Sequence, residues 1–154
     1  PAGAGNVYAE PAAVNFQSND RYPQMVFAFL DTSTRDGLGG RFAVPKNYAG
    51  SPKIVVDWST TATAGNAVWD FDYTAVGGDA AESYDPSADQ QSVTVTDAAS
   101  ATARRRQSCE MSLTASNLAP DDTVQFTLFR DGAGGDTIAA TLYLFGLYFE
   151  FSDV

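Results

Sequence analysis

Apolar and polar residues alternate with a period of two along most of this chain, the spacing of β-strands that turn one face to a core. The alternation is clearest where Ile54, Val56 and Trp58 face one way with Asp57 opposite, and where Trp69, Phe71 and Tyr73 oppose Asp70 and Asp72. It recurs where Val124, Phe126 and Leu128 oppose Gln125 and Thr127. The pattern predicts strands over 25–30, 40–44, 53–59, 67–74, 91–96, 104–114, 123–130 and 137–151, separated by stretches rich in Gly, Pro, Asp and Asn. No dozen residues carry a helical stripe, which argues against parallel βαβ architectures. Eight strands fit an all-β, antiparallel, jelly-roll-like sandwich.

The last strand departs from the alternation. From 138 to 151, one parity carries Tyr143, Phe145, Leu147, Phe149 and Phe151, and the other carries Leu142, Leu144, Gly146 and Tyr148 before Glu150. A strand at the surface of a two-layer domain needs only one apolar face, so the second requires a cover: the chain's own N-terminal arm or a neighbouring subunit. Residues 1–24 read as that arm, set apart from a sandwich domain over 25–154. Pro1, Pro11 and Pro23 break any periodicity there, while Val7, Tyr8, Val14 and Phe16 supply apolar anchors. These four residues, with Tyr143, Phe145, Leu147, Phe149 and Phe151, are the expected assembly contacts.

Two connections are long: an acidic loop over 76–90, holding Asp79, Glu82, Asp85, Pro86 and Asp89, and a small-residue link over 97–103. Ala119, Pro120, Asp121 and Asp122 predict a tight turn that launches a strand. Asp131 to Asp136, with Gly132, Gly134 and Gly135 between, predicts a hairpin loop.

At 154 residues the chain is one domain's worth, able to bury about 70% of its unfolded surface without a disulfide or metal staple. Its single cysteine, Cys109, permits no intramolecular disulfide and no cysteine-based zinc site, and reads as a small strand side chain. No apolar run approaches the roughly 20 residues of a membrane helix and the N-terminus has no signal-peptide pattern, so the expectation is a soluble protein. Nineteen acidic residues against nine basic ones give a net charge of -10, the wrong balance for binding nucleic acid. The consecutive Arg104, Arg105 and Arg106 alternate faces at a strand start, as solvated or salt-bridging groups.

Histidine is absent, which removes Ser-His-Asp and Cys-His nucleophiles, histidine-ligated metals and the commonest general base. Asp70 and Asp72, roughly 6 to 7 Å apart along one strand face, match carboxyl separations used in glycoside hydrolysis. Any strand that shows polar residues to solvent has the same spacing. Asp121 with Asp122, and Asp131 with Asp136, are the best groupings for calcium, yet turn chemistry accounts for them without a metal. Trp58 and Trp69 could stack on sugars as in a carbohydrate-binding module, but each shares a face with apolar neighbours, which predicts burial. Gly37, Leu38, Gly39 and Gly40 precede a predicted strand rather than a helix and lack a phosphate-loop lysine. No cofactor is expected.

Several segments together resemble small proteins encoded among the virion structural genes of tailed bacteriophages. They are Leu30-Asp31-Thr32-Ser33-Thr34, the run from Val44-Pro45-Lys46-Asn47-Tyr48 to Pro52, and the run from Trp58-Ser59-Thr60-Thr61 through Ala64-Gly65-Asn66 to Trp69, which reads as a Thr-Ala-Gly hairpin between two tryptophan-bearing strands. Phe129-Arg130-Asp131, Asp136-Thr137-Ile138-Ala139 and Leu144-Phe145-Gly146 fit the same pattern. The resemblance covers about 27–151. It implies a jelly-roll-like virion component, foremost a capsid decoration (cement) protein on the head exterior, soluble in the host cytoplasm before assembly. It also implies the major capsid protein as partner, assembly as a homotrimer, and no catalytic residues. A neck, tail or fibre position, a carbohydrate-binding module and a hydrolase using Asp70 and Asp72 are the rival expectations.

Overall fold

A computed structural model describes residues 7–14, 24–31, 33–78, 82–84 and 90–154. Phe16, Pro1 and Pro23 of the expected arm, and Asp79, Asp85, Pro86 and Asp89 of the acidic loop, lie outside the described residues. The described residues form ten strands: β1 (Val7–Tyr8), β2 (Glu10–Val14), β3 (Gln24–Phe29), β4 (Arg35–Ala43), β5 (Tyr48–Thr60), β6 (Asn66–Val76), β7 (Gln91–Ala98), β8 (Gln107–Ser112), β9 (Thr123–Asp131) and β10 (Leu142–Asp153). They make two five-stranded sheets, a front sheet in the order β1-β4-β9-β6-β7 and a back sheet in the order β2-β3-β10-β5-β8. All pairings are antiparallel except the short parallel one between β1 and β4. Leaving β1 and β2 aside, the two four-strand orders are those of a jelly roll, as the strand count predicts.

Residues 7–14 are strands of the sandwich. β1 lines the free edge of β4, β2 lines that of β3, and Ala9 between them is buried and donates its backbone N–H to the Gly37 carbonyl. The short β1 and the proline-containing β2 thereby become the edges on that side, poorer templates for unwanted strand pairing than β4 and β3.

The core is aromatic and lies between the sheets. Trp58 of β5 and Trp69 of β6 are fully buried and meet edge-on at 6.0 Å between ring centroids, and Phe29 meets Trp69 at 5.3 Å. These two strands do not pair with each other. The Thr-Ala-Gly segment between them, expected to be a hairpin, carries the chain from the back sheet to the front. Gly65 is required there, because its φ is +102° and a Cβ would come within 2.9 Å of the Thr137 carbonyl oxygen.

The glycine-rich run after Asp131 is likewise a crossing between sheets and not a hairpin. Its end is held by Arg130, almost wholly buried, whose guanidinium grips both oxygens of Asp136 (2.8 and 3.0 Å) and donates to the carbonyls of Ala140 (2.7 Å) and Ile138. Those carbonyls are thereby withdrawn from a sheet ladder. This is why β10 starts at Leu142 and not at 137 as predicted.

β10 also corrects the reading of two apolar faces. Leu144 pairs with Trp58 and Gly146 with the next residue back, Asp57, so Phe145 is an extra residue forming a β-bulge. The bulge switches parity. Leu142 and Leu144 point inward before it, while Leu147, Phe149 and Phe151 pack against the core after it. Phe149 lies 4.8 Å from Phe42 of the front sheet, and Phe151 lies 6.0 Å from Tyr48. Outward are Tyr143, Tyr148 and Glu150, with Tyr148 lying over Gly146, where a Cβ would come within 2.5 Å of its hydroxyl. One inward face changes its sequence parity, and the apparent surplus of apolar residues largely vanishes.

Candidate functional site

The outer face of the front sheet carries a linked set of charged and hydroxyl groups. Alternation along β6 puts Trp69, Phe71 and Tyr73 into the core and therefore Asp70, Asp72 and Thr74 outside. Strand register sets Phe129, Thr127 and Gln125 of β9 beside them on one flank and Thr94 and Ser92 of β7 on the other. Beyond β9, β4 contributes Gly37 and Gly39, opposite Phe129 and Thr127.

Arg35, at the start of β4, ties this face together. One guanidinium nitrogen donates to Asp70 Oδ2 (2.9 Å) and Asp72 Oδ2 (3.2 Å), and its carbon sits 3.8 Å from the centroid of the Phe129 ring. Thr94 donates to Asp70 Oδ1 (2.6 Å) and Ser92 to Asp72 Oδ1 (2.7 Å), so all four carboxylate oxygens are engaged. Burial pushes the Asp70 carboxyl above the usual range, against the opposing pull of the Thr94 hydrogen bond and Arg35. The acid/base division of labour in glycoside hydrolysis places two carboxyls on either side of a scissile bond. Here both are held by one guanidinium on one side. The arrangement is suited to presenting fixed hydrogen-bonding groups.

Above this network the face is hollowed into a groove of about 840 Å³, running from Tyr8 on β1 across Gly39, Thr127 and Asp72 to Ser92 on β7. Gly37 makes room for Phe129, whose ring would stand 2.6 Å from a Cβ there; at Gly39 a Cβ would meet nothing closer than 3.8 Å, so that position is open. Tyr8 stands at the rim, 59% exposed.

The other expected sites resolve differently. Both tryptophans are buried as predicted, and Trp58 donates its ring N–H to Asp97 (2.9 Å), so neither forms a stacking platform. Asp131 accepts from the backbone of Ala133 and Gly134, Asp136 holds Arg130, and Asp122 accepts from Ala119 N–H. Among the described residues, no three His, Cys, Asp or Glu side chains are grouped to hold a metal. Cys109 is buried and its thiol is pushed up to about 12, chiefly by burial, which leaves it unreactive. Arg104 to Arg106 precede β8 and are not part of it; Arg104 has φ +63°, and Arg106 donates to both oxygens of Asp57 at 2.9 Å. Gly37 to Gly40 lie within β4 and form no loop. Among the described residues no helix is long and apolar enough to cross a membrane.

Of the expected assembly contacts, Tyr8 is exposed, Val14, Tyr143 and Phe145 are half-buried, and Leu147, Phe149 and Phe151 are half-buried against the core. Val7 is placed in β1, its side chain outside the described residues, as is all of Phe16. Arg35, Gly39 and Ser92 escaped the sequence reading. The available signal was Arg35, Gly37 and Gly39 at a spacing of two, which a strand begun at 40 leaves out.

No model of a known protein family matches the chain, and no curated protein matches it. A solved structure, Family 16 Carbohydrate Binding Module-2, is similar over 92% of this chain and 86% of its own at 17% identity, with a TM-score of 0.43. A likeness that remote carries no inference about function.

Proposed function

We propose that the chain is a non-catalytic structural subunit of a tailed-bacteriophage virion, a decoration (cement) protein on the head exterior that binds the major capsid protein. What supports this reading is where the segments behind the resemblance fall. The Val44 to Pro52 run crosses from the front sheet to the back, and its Tyr48 packs on Phe149 and Phe151. Trp58 and Trp69 are the centre of the core, Phe129-Arg130-Asp131 and Asp136 to Ala139 form the Arg130 clamp, and Leu144-Phe145-Gly146 is the β10 bulge. The shared residues are thus the joints of the fold, whose closed sandwich suits a subunit repeated over a shell. Homotrimer assembly belongs to the same proposal. Its test is particle composition: quantitative mass spectrometry and imaging of intact virions should find this chain in hundreds of copies on the head. A handful of copies would move it to the neck, tail or fibres, and absence would remove the virion reading.

A second reading, a carbohydrate-binding module, is favoured by one observation, the open groove of the front sheet, which mixes aromatic rings with hydroxyl, amide and carboxylate groups.

A further inference from the structure

The geometry points to the front-sheet groove as a binding site for a neutral oligosaccharide, lying across the strands with Tyr8 at one end and Ser92 at the other. This deepens the carbohydrate-binding reading and is independent of the virion one. The groove crosses all five strands of its sheet. Four inter-strand spacings span about 19 Å, room for several pyranose rings.

The lining selects the class of ligand. Asp72, Ser92, Gln125 and Thr127 mix acceptors with groups that both donate and accept, as sugar hydroxyls do. Two of these side chains are already oriented: Asp72 is fixed between Arg35 and Ser92, and the Gln125 amide donates to the Tyr84 carbonyl (2.8 Å), leaving its oxygen available. Such preorganisation lowers the entropy lost on binding. Thr74, which also lines the groove, is 6% exposed and its hydroxyl finds no partner among the described residues. A buried hydroxyl without a partner carries a cost that a ligand hydroxyl can relieve. Tyr8, 59% exposed, adds an aromatic side chain at the rim, an amphipathic group of the kind that sugar rings pack against.

Other ligand classes fit less well. Two carboxylates face one guanidinium in the network, with Arg41 further along β4 outside the groove, so nucleic acid and acidic glycans meet no net positive field. An apolar ligand would leave the carboxylate of Asp72, the hydroxyls of Ser92 and Thr127 and the amide of Gln125 without partners, and the Phe129 ring on this face is already capped by Arg35. A basic peptide is the remaining competitor.

The test is calorimetric titration of the full chain with neutral hexose and N-acetylhexosamine oligomers of four to six units, beside uronate oligomers and a lysine-rich peptide. Neutral oligomers should bind, and Tyr8→Ala and Gly39→Val should each weaken that binding at least about tenfold. Gly39→Val fills the groove at a position with free space and ordinary backbone, so its circular dichroism should match the parent. Asp72→Asn, which keeps the shape of the carboxylate, should weaken binding less than Asp72→Ala does. Saccharide binding that is indifferent to Gly39→Val would place the ligand elsewhere, overturning this site while sparing the broader reading. Preference for uronates or for the lysine-rich peptide would overturn the ligand class. No saccharide binding at all would overturn both.

Discussion

The two outer faces of this sandwich are covered in different ways. On the back sheet the outward parity carries Val26, Ala28 and Val55, all buried, with Tyr143 directly opposite Ala28 and Tyr148 directly opposite Val55. Beside them the same parity carries Asp57, held by Arg106, and Ser59, which donates to the Arg105 carbonyl. On the front sheet the outward parity carries Asp70, Asp72 and Thr74, hollowed by Gly39 and cross-linked by Arg35. Burial of apolar area needs only contact, whereas a half-buried charge network needs each oxygen placed. The apolar part of the back face can therefore tolerate exchange of its residues better than the Arg35 network of the front face can. Leu147, Phe149 and Phe151 of β10 pack against the core, whereas the groove of the front face is open.

The sharpest way to break the back face is through register. Deleting Tyr148 would bring Phe149 opposite Val55, pointing out, and Glu150 opposite Ile54, pointing in. Two rings would leave the core at about 1.5–3 kcal/mol each, and an unpaired carboxylate would enter it at several more, together comparable to the roughly 5–15 kcal/mol that holds a domain folded. The expected outcome is loss of the cooperative urea transition. Deleting Phe145 should do far less. Without the bulge residue, Leu144 and Gly146 keep their partners and β10 pairs regularly from Leu142 to Glu150, so the protein stays folded and loses about 1–2 kcal/mol. If the two deletions proved equally damaging, the bulge would not be what sets the parity of β10.

The two faces should also differ in how they respond to losing one side chain. Arg35→Ala removes the partner of both carboxylates and leaves Asp70 buried beneath an empty site. A fully buried pair broken this way costs about 3–5 kcal/mol; Arg35 is 29% exposed, so solvent screening reduces the expectation to about 1–3 kcal/mol. Tyr148→Ala, at 48% exposure, should cost about 1 kcal/mol by uncovering Val55. Denaturant midpoints of the two variants decide the ranking, and a costlier Tyr148→Ala would reverse the contrast drawn between the faces.

Much of the sandwich was legible because alternation reports directly on which side of a strand is buried. Ile54, Val56 and Trp58, Trp69, Phe71 and Tyr73, and Val124 and Leu128 all take the predicted side. Alternation is blind where the chain breaks its own period: Phe145 shifts the phase of β10, and a strict period of two then assigns Leu147, Phe149 and Phe151 to the wrong face. It is also blind to which strands pair, so the Gly65 and Gly135 connections read as hairpins although they cross between sheets. The groove was half legible. Asp70 and Asp72 stood out, but Arg35 and Gly39 lie in a glycine-rich stretch with poor strand propensity, and their strand is held by its neighbours β1 and β9.

The smallest effect concerns pH and centres on Asp70 of the front face. Burial raises the Asp70 carboxyl in the folded protein, so the folded state favours its protonated form more than the unfolded state does. The resulting stability is fully present below the unfolded value of 3.8 and is lost as pH rises through the higher folded value. Asp70→Asn cannot titrate and lacks that component. Melting temperatures of the parent and Asp70→Asn, compared from pH 3 to pH 7, should therefore favour the parent most at the acid end, with its margin shrinking toward neutrality. The change is small because Arg35 and Thr94 work against burial at the same carboxyl. A margin that instead grows toward neutral pH would mean that the Arg35 pair outweighs burial, making the front face a net source of stability at neutral pH and its ion network the firmer of the two covers.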